Sequence, residues 1–439
     1  MLSPATLALL SVVLVFGLIL LGVHIGVALA AVSVLTLWLI TGKFAVAISL
    51  LQTTAYSAVM DYVFAVVPLF VLMGIFATVA GATRELFASA QVLLGRVRGG
   101  LGIATVVANA VFAAITGVSV ASAAVFSKIA IPEMQRLNYD RKFSLGIVAG
   151  SAILGMLIPP SVLMIVYGVL TEQAIGKLFI AGILPGLVVM AVLALGIWTM
   201  VLVKPRLGGS AHEARRPDFR TLVRAAAAPW AVVALVVLVM GGMWGGFFTP
   251  TEAGAVGAAG GFLLIFINRQ KLTLPGLWRI LLDAGRTTAS IFLLLICAQM
   301  YSRVLTMSGL AGNLTHWVTA LAVPPILIIL GFIVVFLLLG CILDSTSIII
   351  LTIPLMHPIA MHLGYDPLWF GIVAILAIEI GLLSPPFGMV VFAMKSAIGD
   401  TVRVDEIFTG AIPFMLLLIV ALGIIIAFPR LSTWLPSLM

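Results

Sequence analysis

The segments Thr116-Gly117-Val118-Ser119-Val120-Ala121-Ser122 and Cys341-Ile342-Leu343-Asp344-Ser345-Thr346-Ser347 each cluster hydroxyls inside an otherwise apolar run. Farther along, each is followed by a proline pair, Pro159-Pro160 and Pro385-Pro386, in the middle of another apolar run. Proline carries no amide proton, so each pair removes two backbone donors and leaves carbonyls free. Hydroxyl and carbonyl oxygens are hard ligands, and several of them together suit an alkali cation. The two clusters and two breaks can therefore make two sodium sites, one cluster and one break to each. The competing reading is that the hydroxyls bond back to helix carbonyls and each proline pair kinks a scaffold helix.

Three charged residues fall inside apolar runs: Asp344, Glu379 and Arg303. Asp344 is the sharpest of them, since a carboxylate within a membrane is expensive and marks function by default. It can ligate sodium or carry a proton. Glu379 can serve a site or pair with a basic neighbour. Arg303 offers a two-point fork to a carboxylate, or snorkels to the membrane face from its segment end. Other features have plainer readings. Thr249-Pro250-Thr251-Glu252 caps the helix that follows, and Gly242/Gly246 and Gly257/Gly261 are small-residue pairs for close helix packing. The histidines show no zinc spacing; His357 and His362 are a poor metal pair. Gly42-Lys43 runs into Phe44 and Gly176-Lys177 into Leu178, so neither completes a phosphate-binding loop. Pumping would need an ion gradient or a partner, and no clustered acid, base or metal set of an enzyme is visible.

The elements that carry these residues must live in lipid. Of 439 residues, 63% are hydrophobic and 9% charged, against about 25% charged in a soluble domain. A spanning helix needs about 20 apolar residues. Such runs lie near 5–21, 23–41, 62–81, 101–126, 143–170, 178–203, 229–248, 253–268, 288–307, 324–352, 367–394 and 407–428. They are continuous rather than alternating, which excludes a transmembrane barrel and leaves helices. Amphipathic stretches near 84–98 and 271–286 suit the membrane interface. The +8 charge sits in short connections, a topology signal and not a nucleic-acid surface. The basic loop 204–224, with Lys204, Arg206, Arg215, Arg216, Arg220 and Arg224 against Glu213 and Asp218, is the clearest cytoplasmic connection. Cys297 and Cys341 lie in apolar runs and imply no disulfide framework, and Met1–Thr6 has no basic leader that would mark a cleaved signal peptide.

The two broken runs are copies of one another. A shift of 226 residues aligns Ser119 with Ser345, Pro132 with Pro358, Leu137 with Leu363 and Tyr139-Asp140 with Tyr365-Asp366. The same shift aligns Gly155 with Gly381, Leu157 with Leu383 and Pro159-Pro160 with Pro385-Pro386, without a gap. Val118 stands opposite Asp344, so the two ion sites differ. In the first copy Arg96 and Arg98 precede the hydroxyl run, and Arg136, Arg141 and Lys142 follow it. Both ends then face the cytoplasm, as in a re-entrant hairpin with its tip near 116–122; two short spans fit the same charges. In the second copy Lys128, Arg136, Arg141 and Lys142 are replaced by Pro354, His362, Pro367 and Leu368. That hairpin should enter from the opposite side. The pattern predicts an all-α polytopic membrane protein with an inverted repeat, two re-entrant hairpins and two broken helices, the inverted-repeat plan of secondary transporters. The boundaries expected are 1–99 and 177–324 for scaffold helices and interfacial arms, 100–176 and 325–402 for the two transport repeats, and 403–439 for a C-terminal helix.

Ile131-Pro132-Glu133-Met134, Tyr139-Asp140, Gly155-Met156-Leu157-Ile158-Pro159-Pro160-Ser161, Thr249-Pro250-Thr251-Glu252-Ala253, Gly364-Tyr365-Asp366-Pro367 and the run from Gly381 to Gly388 together resemble the large membrane subunit of tripartite ATP-independent periplasmic (TRAP) transporters. The resemblance spans nearly the whole chain. It implies an elevator-type ion-transporter fold and sodium-coupled uptake of small organic acids, such as dicarboxylates, keto acids or sialic acids, across a bacterial or archaeal inner membrane. It also implies two partners, a periplasmic substrate-binding protein and a small four-helix membrane subunit. No extension precedes the first apolar run, so the small subunit is expected as a separate chain. The first hairpin is poorer in Gly and Ser than is usual in that family. On this reading Thr116, Ser119, Gly155, Ile158 and Pro160 line one sodium site. Asp344, Ser345, Thr346, Gly381, Ser384 and Pro386 line the other. The substrate would lie between the tips against Ser122, Pro159 and Pro385, with Arg303 as anion partner. A self-sufficient sodium/carboxylate symporter of related fold, needing no binding protein, is the alternative.

Overall fold

The structure, a computed structural model, describes residues 3–60, 62–209, 218–320 and 323–439. Glu213, Arg215 and Arg216 of the basic loop lie outside the described residues. Among the described residues every regular element is a helix. Backbone groups in lipid have no water to turn to, and a helix satisfies them within one segment. Six helices are long and apolar enough to cross a membrane, or up to eight if each bent pair counts as one span.

The first copy folds as a hairpin, Gly100–Thr116 and Ser119–Arg136, followed by a helix broken between Arg141–Leu157 and Val162–Thr171 with a 40° bend. The second folds as Pro325–Gly340 and Ser345–His362, then Pro367–Gly381 and Met389–Ile398. Several boundaries repeat at the 226-residue offset: Ser119 with Ser345, Arg136 with His362, Arg141 with Pro367. The local cause is visible in the caps. Asp140 accepts from the Phe143 amide at 2.8 Å and Asp366 from the Leu368 amide at 2.8 Å, so the repeated Tyr-Asp pair starts the same helix twice. Just before it, Asn138 (φ 56) and Gly364 (φ 84) hold the left-handed turn that ends each return helix. The Pro159–Pro160 and Pro385–Pro386 bonds are both cis.

The two Tyr-Asp loops lie at opposite ends of one helix. The Asp140 amide bonds to the Leu207 carbonyl at 3.2 Å, and Arg141 pairs with Glu406 at 3.3 Å and donates to the Thr401 carbonyl. Nearby, Lys395 donates to Asp400 at 2.9 Å and holds its carboxyl below the usual carboxylate range. This end gathers Lys142 and Lys204 around one cavity. The second loop is reached from the far end of the first broken helix, where the Tyr167 hydroxyl donates to the Pro367 carbonyl at 2.7 Å. Lys177, Asp366 and Arg430 share a cavity there.

Among the described residues four elements depart from the sequence expectation, one of them the helix Phe219–Ala227, which overlaps the expected polar connection 204–224. Phe44–Met60 is a helix not anticipated, because Ser49, Gln52, Thr53, Thr54 and Ser57 interrupt its apolar run. Leu310–Ala320 is a further unanticipated helix. The stretch 271–286 runs without a break into the next expected span: Leu274–Met307 is one helix of 34 residues, whose start leaves Leu274 and Trp278 exposed. Gly254, Gly257 and Gly261 do face the Val66–Val79 helix, with Met73 and Leu69 in their hollows. Gly242 and Gly246 behave otherwise: the Phe248 ring packs on Gly242, and Gly246 (φ 72) has no neighbour and forms the turn after the helix. Thr249 and Glu252 make the expected reciprocal cap.

Candidate functional site

Each hairpin tip docks on the break of its own copy, and glycines set the distance. A Cβ on Gly155 would stand 2.8 Å from Ser119 Cα and 2.9 Å from Ser119 N; one on Gly117 (φ 62) would stand 2.5 Å from the Pro160 carbonyl oxygen. In the second copy a Cβ on Gly340 would stand 2.5 Å from Gly381 Cα. Only residues without a side chain let tip and break meet backbone to backbone. A hydrogen bond closes each contact: the Val162 amide donates to the Gly117 carbonyl at 3.3 Å, and the Phe387 amide to the Cys341 carbonyl at 3.1 Å. In both copies the donor follows the proline pair and the acceptor sits in the tip.

The structure brings Thr116, Ser119, Gly155 and Pro160 together through these contacts. Ser119 is fully buried, as is Ser122, and neither hydroxyl meets a hydrogen-bond partner by strict geometry. Ile158 is half-buried beside Pro159 and Pro160, which are buried. Thr116 donates to the Phe112 carbonyl at 3.1 Å. That bond uses the hydroxyl proton and leaves oxygen lone pairs free. Thr116 and Val118 also face an apolar cavity of about 380 Å³ against the Val66–Val79 helix.

In the second copy Asp344 caps its helix, accepting from the Ser347 amide at 3.0 Å and from the Ser347 hydroxyl. It is half-buried, like Thr346 and Ser384. Ser384 donates to Met415 Sδ at 3.3 Å, and the Gly381 carbonyl accepts from the Ser384 amide at 2.9 Å. Pro385, Pro386 and Phe387 are exposed, so the second break lies open where the first is closed.

Arg303 stands elsewhere. It donates to Thr54 Oγ1 at 2.7 Å and lines a cavity of about 520 Å³ with Glu172, Gln299 and Ser302. No tip residue lines that cavity. The group that sequence reasoning left undecided is Glu379. It is fully buried, and its Oε1 accepts from the Ser345 hydroxyl at 2.6 Å. Its signal was present as the single acid of the run 367–394; its partner, 34 residues away, was not.

The family model of the "Tripartite ATP-independent periplasmic transporter, DctM component" matches residues 12–431. The chain is 36% identical over 396 residues to the C4-dicarboxylate TRAP transporter large permease protein DctM of Pseudomonas aeruginosa, covering 89% of each chain. It is 32% identical over 373 residues to the sialic acid TRAP transporter large permease protein SiaM of Vibrio cholerae, covering 85% of this chain and 86% of that one. Its fold is similar to that of the YdaH transporter of Alcanivorax borkumensis, with TM-score 0.58 at 17% identity and 89% of each chain covered. A helical chain with two hairpins seated on two breaks, matched along nearly all its length, belongs to the DctM family, the large permease subunits of TRAP transporters.

Proposed function

We propose that this subunit couples sodium entry to the import of small carboxylates across the inner membrane by an elevator motion of its two hairpin–break units. The observation that carries the reading is the paired docking of tip on break, Gly155 on Ser119 and Gly381 on Gly340, in a chain of this family. Sodium needs several oxygens at one point, and each docked pair gathers hydroxyls and carbonyls there. Thr116, Ser119, Gly155, Ile158 and Pro160 form the first ion site, and Asp344, Ser345, Thr346, Gly381, Ser384 and Pro386 the second. The substrate lies between the tips beside Ser122, Pro159 and Pro385. The separation of the two Tyr-Asp loops to opposite ends of one helix supports opposite orientation of the copies, as inverted-repeat carriers require. A periplasmic binding protein delivers the substrate, and a small membrane subunit completes the scaffold. Arg303, away from the tips, serves as an anion contact at the rim of its own cavity.

The test is uptake of radiolabelled organic acids by proteoliposomes holding this chain and its small partner. A sodium gradient and the purified binding protein are each supplied or withheld. Uptake that needs both is expected. Uptake with sodium alone would point to a self-sufficient symporter, and no uptake of any acid would overturn the carboxylate reading.

A further inference from the structure

Among the described residues Glu379 is the one fully buried charged side chain, and none of the ion pairs there includes it. Its Oε1 is held by the Ser345 hydroxyl at 2.6 Å, while Oε2 meets no partner. The buried Ser119 hydroxyl interacts with the same carboxyl, short of strict hydrogen-bond geometry. Ser119 and Ser345 are the same position of the two copies, so one carboxylate stands between equivalent points of both tips. The first copy has no acid of its own there: Val118 replaces Asp344, and Ile153 replaces Glu379. A buried carboxylate oxygen without a partner is expensive. A small cation beside that oxygen and the Ser119 hydroxyl offsets the cost.

We infer that Glu379 supplies the negative charge of the first-tip ion site: its free oxygen and the Ser119 hydroxyl are ligands of a sodium ion there, while its other oxygen stays on Ser345. The inference rests on the sodium reading above and adds to it a ligand crossing from the second copy to the first. Asp344 then serves the second site and Glu379 the first, one acid for each ion. Because Glu379 also holds Ser345, an ion arriving at the first tip steadies the second.

The unfolding temperature of the purified chain with its small partner tests this, with NaCl exchanged against choline chloride at constant ionic strength. An ion that binds only the folded state raises that temperature as its concentration passes its dissociation constant. The unmodified protein should show a sodium-specific rise. Glu379→Gln keeps an acceptor for Ser345 and should need at least tenfold more sodium for half the rise, with Glu379→Asp recovering part of it. Ser119→Ala should move the same way, and adding it to Glu379→Gln should change little further. A Glu379→Gln titration that superimposes on the unmodified one overturns the inference. So does a lower unfolding temperature in choline with an unchanged sodium midpoint, since that is a structural role. If Glu379→Gln does not fold, a Ser119→Ala titration identical to the unmodified protein overturns it instead. The absence of any sodium-specific rise in the unmodified protein removes the sodium reading itself, a failure seen without any variant.

Discussion

A methyl group is enough to separate tip from break. On Gly155 it would press on Ser119 backbone atoms at 2.8–2.9 Å, and backbone cannot swing aside as a flexible side chain can. Gly155→Ala should therefore fold but show at least a tenfold loss of sodium-driven uptake, whereas Gly331→Ala, with nothing within 4 Å, should transport normally. Asp344 carries two roles that substitution can divide. As an N-cap it contributes about 1 kcal/mol of helix stability, and as a carboxylate it is a candidate ligand. Asp344→Ser keeps a capping oxygen and removes the charge; Asp344→Ala removes both. Both variants should lose coupled uptake, and only Asp344→Ala should also lower the unfolding temperature. Equal transport by Asp344→Ser and the unmodified chain would leave Asp344 a cap alone. At this scale the sequence was informative about residue types and poor about partners. Asp-Ser-Thr-Ser is a capping sequence as much as a ligand cluster. The meeting of Glu379 with Ser345 required the fold.

The hairpins and broken helices were legible because a fixed offset survived in residues with strict backbone duties: prolines that break, glycines that admit a close approach, aspartates that cap. Apolar residues between them carry little register information, since many side chains serve equally in lipid. For the same reason the polar-flecked helix Phe44–Met60 went unread. The long helix Leu274–Met307 was read as an arm plus a span because its charges stop near Arg286. At 1.5 Å per residue it extends about 50 Å, well beyond the roughly 30 Å hydrocarbon core. Its first turns, with Trp278 exposed, suit the interfacial position expected for 271–286. The orientation of the copies is testable on the return helices. In a chain lacking Cys297 and Cys341, Arg136→Cys should react with a membrane-impermeant thiol reagent only from the cytoplasm, and His362→Cys only from the periplasm. Labelling of both from one side would contradict the inverted arrangement.

Over the whole molecule the basic residues divide unequally between the two Tyr-Asp loops. Lys142, Lys204, Arg141 and Lys395 collect near the first Tyr-Asp loop, while Lys177 and Arg430 accompany the second. In the proposed orientation the positive-inside rule puts the larger basic group on the cytoplasmic side. Membership of the DctM family rests on nearly the full chain, and the composition had already pointed to lipid as the solvent for most of it. The identity of the carried acid was not legible, because no tip residue commits to a particular carboxylate. The central proposal is that sodium moves with the substrate. Proteoliposomes holding the chain and its small partner, given ²²Na⁺ outside, should accumulate it when substrate-loaded binding protein is added. The accumulation should keep a fixed ratio to the acid taken up and vanish with unloaded binding protein. Acid uptake without accompanying ²²Na⁺ would contradict the account.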